Sequence, residues 1–524
     1  MKKYLIEKIL KPIEAAGFKA YFVGGCVRDE IMGKEPHDFD ICTNATPEQL
    51  HTIFDKFSNV SKNAEQFGVT MVLIPTPVQA DDLTQTYMEV EIATFRKDET
   101  KGRHPVIGFT TDLVEDASRR DFRINAMYED KDGNIIDPFD GQKDIEQKAL
   151  RFVGDPKDRL SEDPLRAFRF VRFLAKTGFT AAYDTEEIKK ACESLDFSEV
   201  SKERMLKEFK QILAGEFFNY RSEAFHFAYC TRVFEVVGLL DIFDKMDLIE
   251  QAWRWHSEGA IFEDANHKSF MVDKRNMDLH GCKPIDHGSV LMHTFLTLDA
   301  MHEIIWGDEN IPELKMDFKD EELRFLLVLS ALLHDIGKCY CSHQGIKHHE
   351  WEFEGEKYEE DIPKVSDHPQ TGLAPAEEFC RNLKMSNDEI HFICSIVAHH
   401  MDAHELSAKK HFHDILEFVH HPKFKEIMLV ALADEKGGVK IAGFDPRGCV
   451  AEIMKDERVI KAMSMDIPEP VLTGNDLIEF GRKPGPLFRK MLDVAHAIQI
   501  DQGITDKKML YRMVKNVELS KDEM

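Results

Sequence analysis

The sequence predicts an α+β multidomain protein, with an α/β head followed by an all-α neck, body and C-terminal region. Three observations carry that expectation. Within residues 1–145, four short runs (20–23, 38–42, 69–74 and 87–95) show strand-like alternation or β-branched content and are set apart by Gly, Pro and Asn. From about Asp144 onward, apolar residues recur at three- and four-residue spacing, as in SEDPLRAFRFVRFLAK and SKERMLKEFKQIL, and each of these runs opens on a Ser that can cap a helix. Finally, 524 residues are enough for three or four domains of roughly 150 residues each.

Within that frame the boundaries fall at four places. The head covers 1–145 and a helical neck and body 146–284. A histidine-rich helical domain spans 285–440, after the Gly/Pro loop HGCKPIDHG at 280–288. A helical tail covers 441–524, with a turn at Lys483-Pro484-Gly485-Pro486. Residues 215–280 read as mostly helical, and EWEFEGEKYEED at 350–361 as an acidic surface stretch or loop. The N-terminal run MKKYLIEKILKPIEAAGF reads as an amphipathic helix, because Glu7 and Glu14 interrupt the apolar stretch a signal peptide needs.

Composition narrows the function classes. Hydrophobic residues make up 43% and charged residues 31%, which excludes a disordered, collagen-like or mucin-like chain. A net charge of −27 excludes a generally basic nucleic-acid coat, so any RNA contact is confined to a local strip and sensitive to salt. The 10 cysteines include no CxxC pair, only Cys339 and Cys341 standing close, and the plain reading is a reducing cytoplasm. The longest apolar run, 325–333, is far shorter than the roughly 20 residues of a membrane span.

The head carries the first chemistry. Asp38 and Asp40 stand one residue apart in HDFDI, and a strand would turn both carboxylates to one face, where hard oxygen ligands suit Mg²⁺. Alone, such a pair is weak and more often a solvated strand edge. Upstream, a strand ends in Gly24 and Gly25 before Val27-Arg28-Asp29 opens a helix, a place for a triphosphate against backbone amides. In YMEVEIATFR, Glu91 is a candidate third carboxylate, though alternation does not choose it over Glu89. Then come Arg119 and Arg120, adjacent guanidiniums suited to phosphate oxygens, with Asp121 and Asn125 to bond a ribose or orient an arginine.

GGCVRDEIMG, HDFDI, EIATFR, GRHP and RRDFRINAM, in this order and spacing, resemble the class II tRNA nucleotidyltransferase and bacterial poly(A) polymerase family, whose head is polymerase-β-like. One departure is Lys101 before GRHP, where the family often has an acidic residue. In the neck, Glu162, Asp163 and Arg166 of SEDPLR resemble the family's E-D-x-x-R motif, in which an Asp/Arg pair reads the Watson–Crick edge of the incoming C or A. On one helix Asp163 and Arg166 would be i and i+3 on a single face; without the resemblance, a helical salt bridge is the better reading. Arg159, Arg169 and Arg172 are candidates for phosphate contacts, and Lys202, Arg204 and Lys207 in VSKERMLKEF for a local RNA-binding strip.

The ordered set His293, His334-Asp335 and Asp434, each on its own helical segment, resembles the HD phosphohydrolase domain. His368 and His400 (with His399 as its neighbour and rival) fit the extra positions of extended HD sites. His343, His348, His349, His420 and His421 read as surface residues. LTGNDLIEFGRKPGPLFRKML resembles the C-terminal segment of the family's HD-bearing branch, whereas 250–284 matches nothing recognisable.

The resemblance implies template-independent addition of C, C and A to a tRNA 3′ end from CTP and ATP. It implies Mg²⁺ at Asp38 and Asp40, a divalent transition metal or Mg²⁺ at the HD residues, and a second, phosphohydrolase activity. The alternatives are a poly(A) polymerase or a partial CCA-adding enzyme, and an HD phosphohydrolase whose head only binds RNA or nucleotide. A non-catalytic RNA-binding scaffold is disfavoured by the intact ligand sets. Oligomeric state is not written in these motifs.

Overall fold

The structure, a computed structural model, describes residues 1–36, 38–54, 68–76, 87–98, 107–198, 200–214, 224, 227–228, 231, 233, 239, 242–243, 246, 250–252, 259–263, 269–273, 283–284, 287–307, 311–340, 346–353, 356–363, 367–437 and 450–517. The chain divides into two compact units, Met1–Leu240 and Asp241–Met524.

In the first unit, consecutive helical turns Lys2–Leu5, Ile6–Leu10 and Lys11–Ala15 bury Leu5, Ile9, Leu10 and Ile13, the apolar stripe that the N-terminal pattern predicts. Among the described residues of the head, eight strands follow: β1 (Ala20–Val23), β2 (Ile41–Thr43), β3 (Val69–Pro75), β4 (Tyr87–Thr94), β5 (Arg96–Asp98), β6 (Ile107–Phe109), β7 (Tyr128–Glu129) and β8 (Ile135–Ile136). Six of them form a mixed sheet in the order β3-β4-β2-β1-β7-β8, and only the β2–β4 pair is parallel. One face packs Phe22, Ile41, Val72, Ile74, Val90 and Ile92 against the N-terminal helices. The other packs Tyr21, Val23, Cys42, Phe95 and Tyr128 together. The candidate catalytic residues gather on this second face because strand alternation sends Cys42 and its even-numbered neighbour Asp40 the same way.

The neck departs from the predicted continuous helix. Helix Pro156–Glu162, capped by Asp155, ends at Asp163, whose backbone is extended (φ −146°, ψ 102°), and a second helix runs Leu165–Thr177. Pro164 is the cause, since its ring disfavours helical geometry in the residue before it. Phe122 meets Phe173 edge to face at 5.0 Å and Phe152 stacks on Phe170 at 4.9 Å, which ties the Leu165–Thr177 helix to the head. Helix Lys202–Ala214 starts with Ser201 Oγ accepting from the Arg204 amide at 3.3 Å; it buries Met205, Phe209, Ile212 and Leu213, leaving Lys202, Arg204 and Lys207 exposed.

The second unit is built on helices Val290–Trp306, Glu321–Leu333, Asn387–His404 and Phe424–Gly437. Its tail, Gly474–Glu479, Leu487–Gln502 and Lys507–Val514, closes around Leu477, Met491 and Leu510. Strands interrupt this helical body where none is expected from the pattern. Gly259–Glu263 pairs with Ser269–Asp273 and Lys283–Pro284, and Glu250–Ala252 pairs with His287–Ser289. The acidic stretch at 350–361 belongs to a hairpin, Ile346–Phe353 with Glu356–Pro363, that sets Trp351 opposite Tyr358. In both places aromatic and β-branched residues favour strands over the helix that the flanking sequence favours.

Candidate active sites in the head and the histidine-rich domain

β1 ends at Val23, and the chain turns at Gly24 with φ +76°, a conformation open to glycine at no steric cost. A Cβ there would stand 3.5 Å from Arg120 Nη1 and 3.8 Å from Asp40 Oδ2, so an anionic and a cationic group close on the same bare backbone. Asp38 and Asp40 do not lie in a strand as expected; they precede β2, which begins at Ile41. The alternation survives nonetheless. Both carboxylates are exposed, while Phe39 between them turns into the core. Desolvation at the lip of the turn raises the Asp40 pKa, the negative charge of Asp38 adds to this, and Arg120 and Arg28 oppose it. A carboxylate whose ionisation is opposed in this way is a donor that a hard divalent cation relieves.

Strand register separates the two glutamates. Ile41 pairs with Ile92 in the parallel β2–β4 ladder, so continuing one residue back sets Glu91 beside Asp40. Glu89 falls one alternation further away. Among the described residues, Asp38, Asp40 and Glu91 are not drawn into a three-ligand cluster as tight as those of the second unit.

Behind the carboxylates lies a braced set of arginines. Arg28 is 3% exposed; its Nη1 donates to Asn125 Oδ1 at 2.7 Å and its Nη2 pairs with Asp29 at 2.7 Å, while its guanidinium lies 5.3 Å over the Phe173 ring. Asp121, also buried, pairs with Arg169 and accepts from the Phe122 amide at 2.8 Å. Of the two uses open to Asp121 and Asn125 from sequence, both here hold arginines. Arg119 and Arg120 converge on Asp116, at 2.6 and 3.3 Å, and the Tyr128 hydroxyl donates to the same carboxylate at 2.7 Å. Burial alone would push the Asp116 pKa up; Arg119, Arg120 and Tyr128 outweigh it and hold the carboxyl below its usual range.

The neck pair is arranged otherwise than on one helix face. Arg166 Nη1 donates to Glu162 Oε2 at 2.7 Å and to the Arg159 carbonyl at 2.9 Å, and its Nη2 reaches the Arg119 carbonyl at 3.2 Å. Arg159 shares Glu162 at 2.9 Å. Asp163 sits at the break and accepts from the Leu165 amide at 3.2 Å. Glu162 therefore fixes Arg166, and Asp163 caps the helix that carries it. Arg172 pairs with Glu208 at 3.0 Å, on the Lys202–Ala214 helix.

In the second unit all six expected ligands converge and are buried: His293, His334, Asp335, His368, His400 and Asp434. His293 Nε2 lies 2.9 Å from Asp434 Oδ1 and 3.7 Å from Asp335 Oδ2, and His334 Nε2 lies 3.3 Å from Asp335 Oδ2. On its other side Asp335 Oδ1 meets His368 Nε2 at 3.3 Å and His400 Nε2 at 3.9 Å. The far ring nitrogens are held by carbonyls, His334 Nδ1 by Ala331 at 2.7 Å and His400 Nδ1 by Val397 at 2.8 Å, which aims both Nε2 atoms inward. His399, the rival of His400, is partly exposed and pairs with Asp402.

The donor set fits a divalent ion. His293 and His334 Nε2 are buried and near carboxylate oxygens, yet make no aligned hydrogen bond. The ligand atoms of His293, His334 and Asp335, and those of Asp335, His368 and His400, form two tight clusters sharing one carboxylate. Burial opposes ionisation of Asp335, but Lys338 and His334 hold its pKa well below the usual range; desolvation and then His368 and His334 push His400 well down. His293 is also pushed down, mainly by burial, whereas at His334 burial is outweighed by Asp335, which raises it; a neutral His293 and His400 beside an ionised Asp335 are the ligand state that a metal requires.

Comparison with known proteins follows this division. The profile of the Poly A polymerase head domain matches residues 20–151, and that of the HD domain matches 291–437. The CCA-adding enzyme of Staphylococcus epidermidis is 31% identical over 339 residues, which span 64% of this chain and 78% of that protein. The chain belongs to the CCA-adding enzyme family. CCA-adding enzymes of Leuconostoc citreum and Bacillus subtilis are each 41% identical, over 214 and 220 residues, and the chain spans about half the length of these two relatives, 49% and 52%. The fold resembles that of the Bacillus stearothermophilus CCA-adding enzyme in complex with CTP (TM-score 0.55, 22% identity, 98% of this chain and 97% of that one). It also resembles the Thermotoga maritima CCA-adding enzyme complexed with tRNA_CCA (TM-score 0.53, 17% identity, 98% and 94%).

Several residues of these sites carry no signal in the motifs read above. Asp116 and Tyr128 brace the arginine pair, and Lys338 pairs with Asp335. His404 Nε2 binds Asp434 Oδ2 at 2.7 Å; it stands one helical turn after His400, and that i, i+4 spacing was the clue available. Lys101 and the GRHP loop lie outside the described residues, as does His343. Among the described residues no helix is long and apolar enough to cross a membrane.

Proposed function

We propose that this chain adds C, C and A to tRNA 3′ ends from CTP and ATP, releasing pyrophosphate, in the cytoplasm. The observation that carries the reading is the turn at Gly24, where bare backbone, the Asp40 carboxylate and the Arg120 guanidinium close on one point in a chain of this family. Asp38 and Asp40 would hold Mg²⁺, with Glu91 beside Asp40. Bound there, the ion supplies charge neutralisation at the α-phosphate and lowers the pKa of the attacking 3′-hydroxyl.

The rest is positioning by the chain itself. Gly24 and Gly25 present backbone without a side chain, so phosphate oxygens approach closely. Arg28, Arg119 and Arg120 offer guanidinium donors whose directions are set by Asn125, Asp116 and Tyr128 before substrate arrives, so little reorganisation is needed when charge develops. Asp121 orients Arg169 in the same way. Asp163 and Arg166 would read the base edge, with Glu162 holding Arg166 and Arg159 in place. Lys202, Arg204 and Lys207 offer a local strip for tRNA phosphates.

We further propose that the HD residues form a phosphohydrolase centre. The imidazole-rich set suits a transition ion better than Mg²⁺, which prefers all-oxygen ligands. Both activities are tested on the full chain. A tRNA lacking its 3′ CCA is incubated with each NTP alone and with all together, and the products are sequenced. Addition of CCA supports the reading, while addition of A alone or of long A tracts would replace it. Hydrolysis of 2′,3′-cyclic and 2′-phosphates with and without added metal tests the second centre.

A further inference from the structure

Away from both sites, three ligand-type side chains converge at His411, His413 and Asp501. His411 caps the start of helix Phe412–Val419, His413 lies in its first turn, and Asp501 is next to last in helix Leu487–Gln502. His411 Nδ1 lies 3.1 Å and His413 Nδ1 2.8 Å from the same oxygen, Asp501 Oδ2, and the three donor atoms lie within 4.8 Å of one another. The other carboxylate oxygen, Oδ1, accepts from the His413 amide at 2.8 Å, so the carboxylate is pinned in its direction.

We propose that these residues form a third divalent-cation site, distinct from the head and HD centres, of the His₂-carboxylate class that binds Zn²⁺ or Co²⁺. The second observation that points to a ligand is on the far side of His413, where Nε2 lies 3.1 Å from Asp414 Oδ1. A metal-binding histidine characteristically gives its other ring N–H to a carboxylate, which fixes the tautomer and raises ligand basicity. A cation at this place would take the Nδ1 lone pair of His413, and any proton held there would leave to solvent.

Two further features fit. Asp501 and its ligand position lie at the C-terminal end of a 16-residue helix, where the unpaired carbonyls favour positive charge. The side chain of His411 is 64% exposed, which leaves an open coordination position for water and an entry path for the ion. His413 and Asp501 are 88 residues apart in sequence, so an ion there would clip the Phe412–Val419 helix to the C-terminal tail. The inference rests on neither proposed activity.

The test counts metal on the full chain. Protein stripped with a chelator is titrated with Zn²⁺ against a chromophoric competitor, and with Co²⁺ followed by its visible absorption. Wild type is compared with His411→Gln, Asp501→Asn and Asp414→Asn. The HD centre is present in all four proteins and contributes equally. His411→Gln and Asp501→Asn should each bind one equivalent fewer, and Asp414→Asn should weaken that equivalent about 10–100-fold. Because His411 is exposed, His411→Gln keeps the fold, which circular dichroism checks. If folded His411→Gln binds as many equivalents as wild type with the same affinities, the site is refuted whatever Asp501→Asn does.

Discussion

Replacing Asp116 by alanine should both loosen the head and disarm it. This carboxylate is 1% exposed and collects the Tyr128 hydroxyl, two nitrogens of Arg119, one of Arg120 and the backbone amide of Arg96. Truncation leaves the buried hydroxyl without its acceptor and two guanidiniums, 16% and 17% exposed, without their anion. Breaking a buried pair from one side costs about 3–5 kcal/mol, and the arginines' partial access to water puts this case near the lower end, about 3 kcal/mol. For a unit the size of Met1–Leu240, each kcal/mol lowers Tm by about 2–4 °C, so the head's transition should fall by about 6–12 °C in calorimetry of the full chain. Nucleotide addition should fall at least about tenfold, mainly through the KM for the triphosphate, because Arg119 and Arg120 lose their fixed direction. Tyr128→Phe is the control: it removes the bond to Asp116 and the one from Arg120 Nε, about 1–2 kcal/mol together, and leaves both arginines paired with Asp116. Should Asp116→Ala melt within about 2 °C of wild type and add nucleotides at the wild-type rate, the idea that this carboxylate orients the arginines is wrong.

The same residue sets a pH dependence. Its folded pKa is depressed, so its stabilisation is present above the unfolded value near about 3.9 and is lost as pH falls through the folded value; the stability gap between wild type and Asp116→Asn should be full at neutral pH and close below about pH 4, as measured by urea unfolding across the range. Asp40→Asn should cut nucleotide addition about 100–1000-fold with an unchanged melt, because it removes charge stabilisation at an exposed position. Arg166→Ala should blur discrimination among the four NTPs, and Glu162→Ala should do so more weakly, since it frees Arg166 and Arg159 without removing either; incorporation ratios measured on all four nucleotides decide. Gly337→Ala should lower metal content and phosphate-ester hydrolysis while sparing nucleotide addition, because a Cβ there would sit 1.8 Å from the His368 carbonyl oxygen and displace a ligand-bearing turn.

The head's strands are legible in local pattern, and the six His and Asp residues that converge in the second unit are picked out by their resemblance to the HD domain. Strands β1, β3 and β4 show in alternation, and His293, His334-Asp335, His368, His400 and Asp434 show as metal-ligand types on separate apolar segments. What the sequence missed depends on contacts between distant segments. Nothing near Asp116 says that Tyr128 will donate to it, and nothing near Glu91 fixes its place beside Asp40 until the β2–β4 register is known. The neck was misread for a local reason: apolar spacing runs through SEDPLRAFRF unbroken, yet Pro164 forces Asp163 out of the helix, which moves the pairing of Arg166 from Asp163 to Glu162. The hairpin at 346–363 was missed because its acidic residues hide the aromatic content that supports strands.

The placement of charge explains how a chain of net charge −27 can be suited to polyanionic substrates. Near the Gly24 turn and in the adjoining neck, six guanidiniums (Arg28, Arg119, Arg120, Arg159, Arg166 and Arg169) share four carboxylates, Asp29, Asp116, Asp121 and Glu162. With Asp38 and Asp40 at the same turn the local charges balance, and what the paired carboxylates contribute is direction: each guanidinium is held in a plane, with its remaining N–H groups already aimed. Such donors discriminate by geometry, since a misplaced phosphate or base meets N–H groups that cannot swing to reach it. Long-range attraction would then come from the exposed Lys202, Arg204 and Lys207 of the Lys202–Ala214 helix, so salt should weaken tRNA capture more than it weakens nucleotide choice. The HD centre inverts the arrangement, burying its carboxylates among imidazoles so that the fixed charge is negative and matches a cation rather than a phosphate. On the proposed reading, phosphate chemistry would be approached in two ways on one chain, by oriented cations in the head and by a cage for a cation in the HD domain.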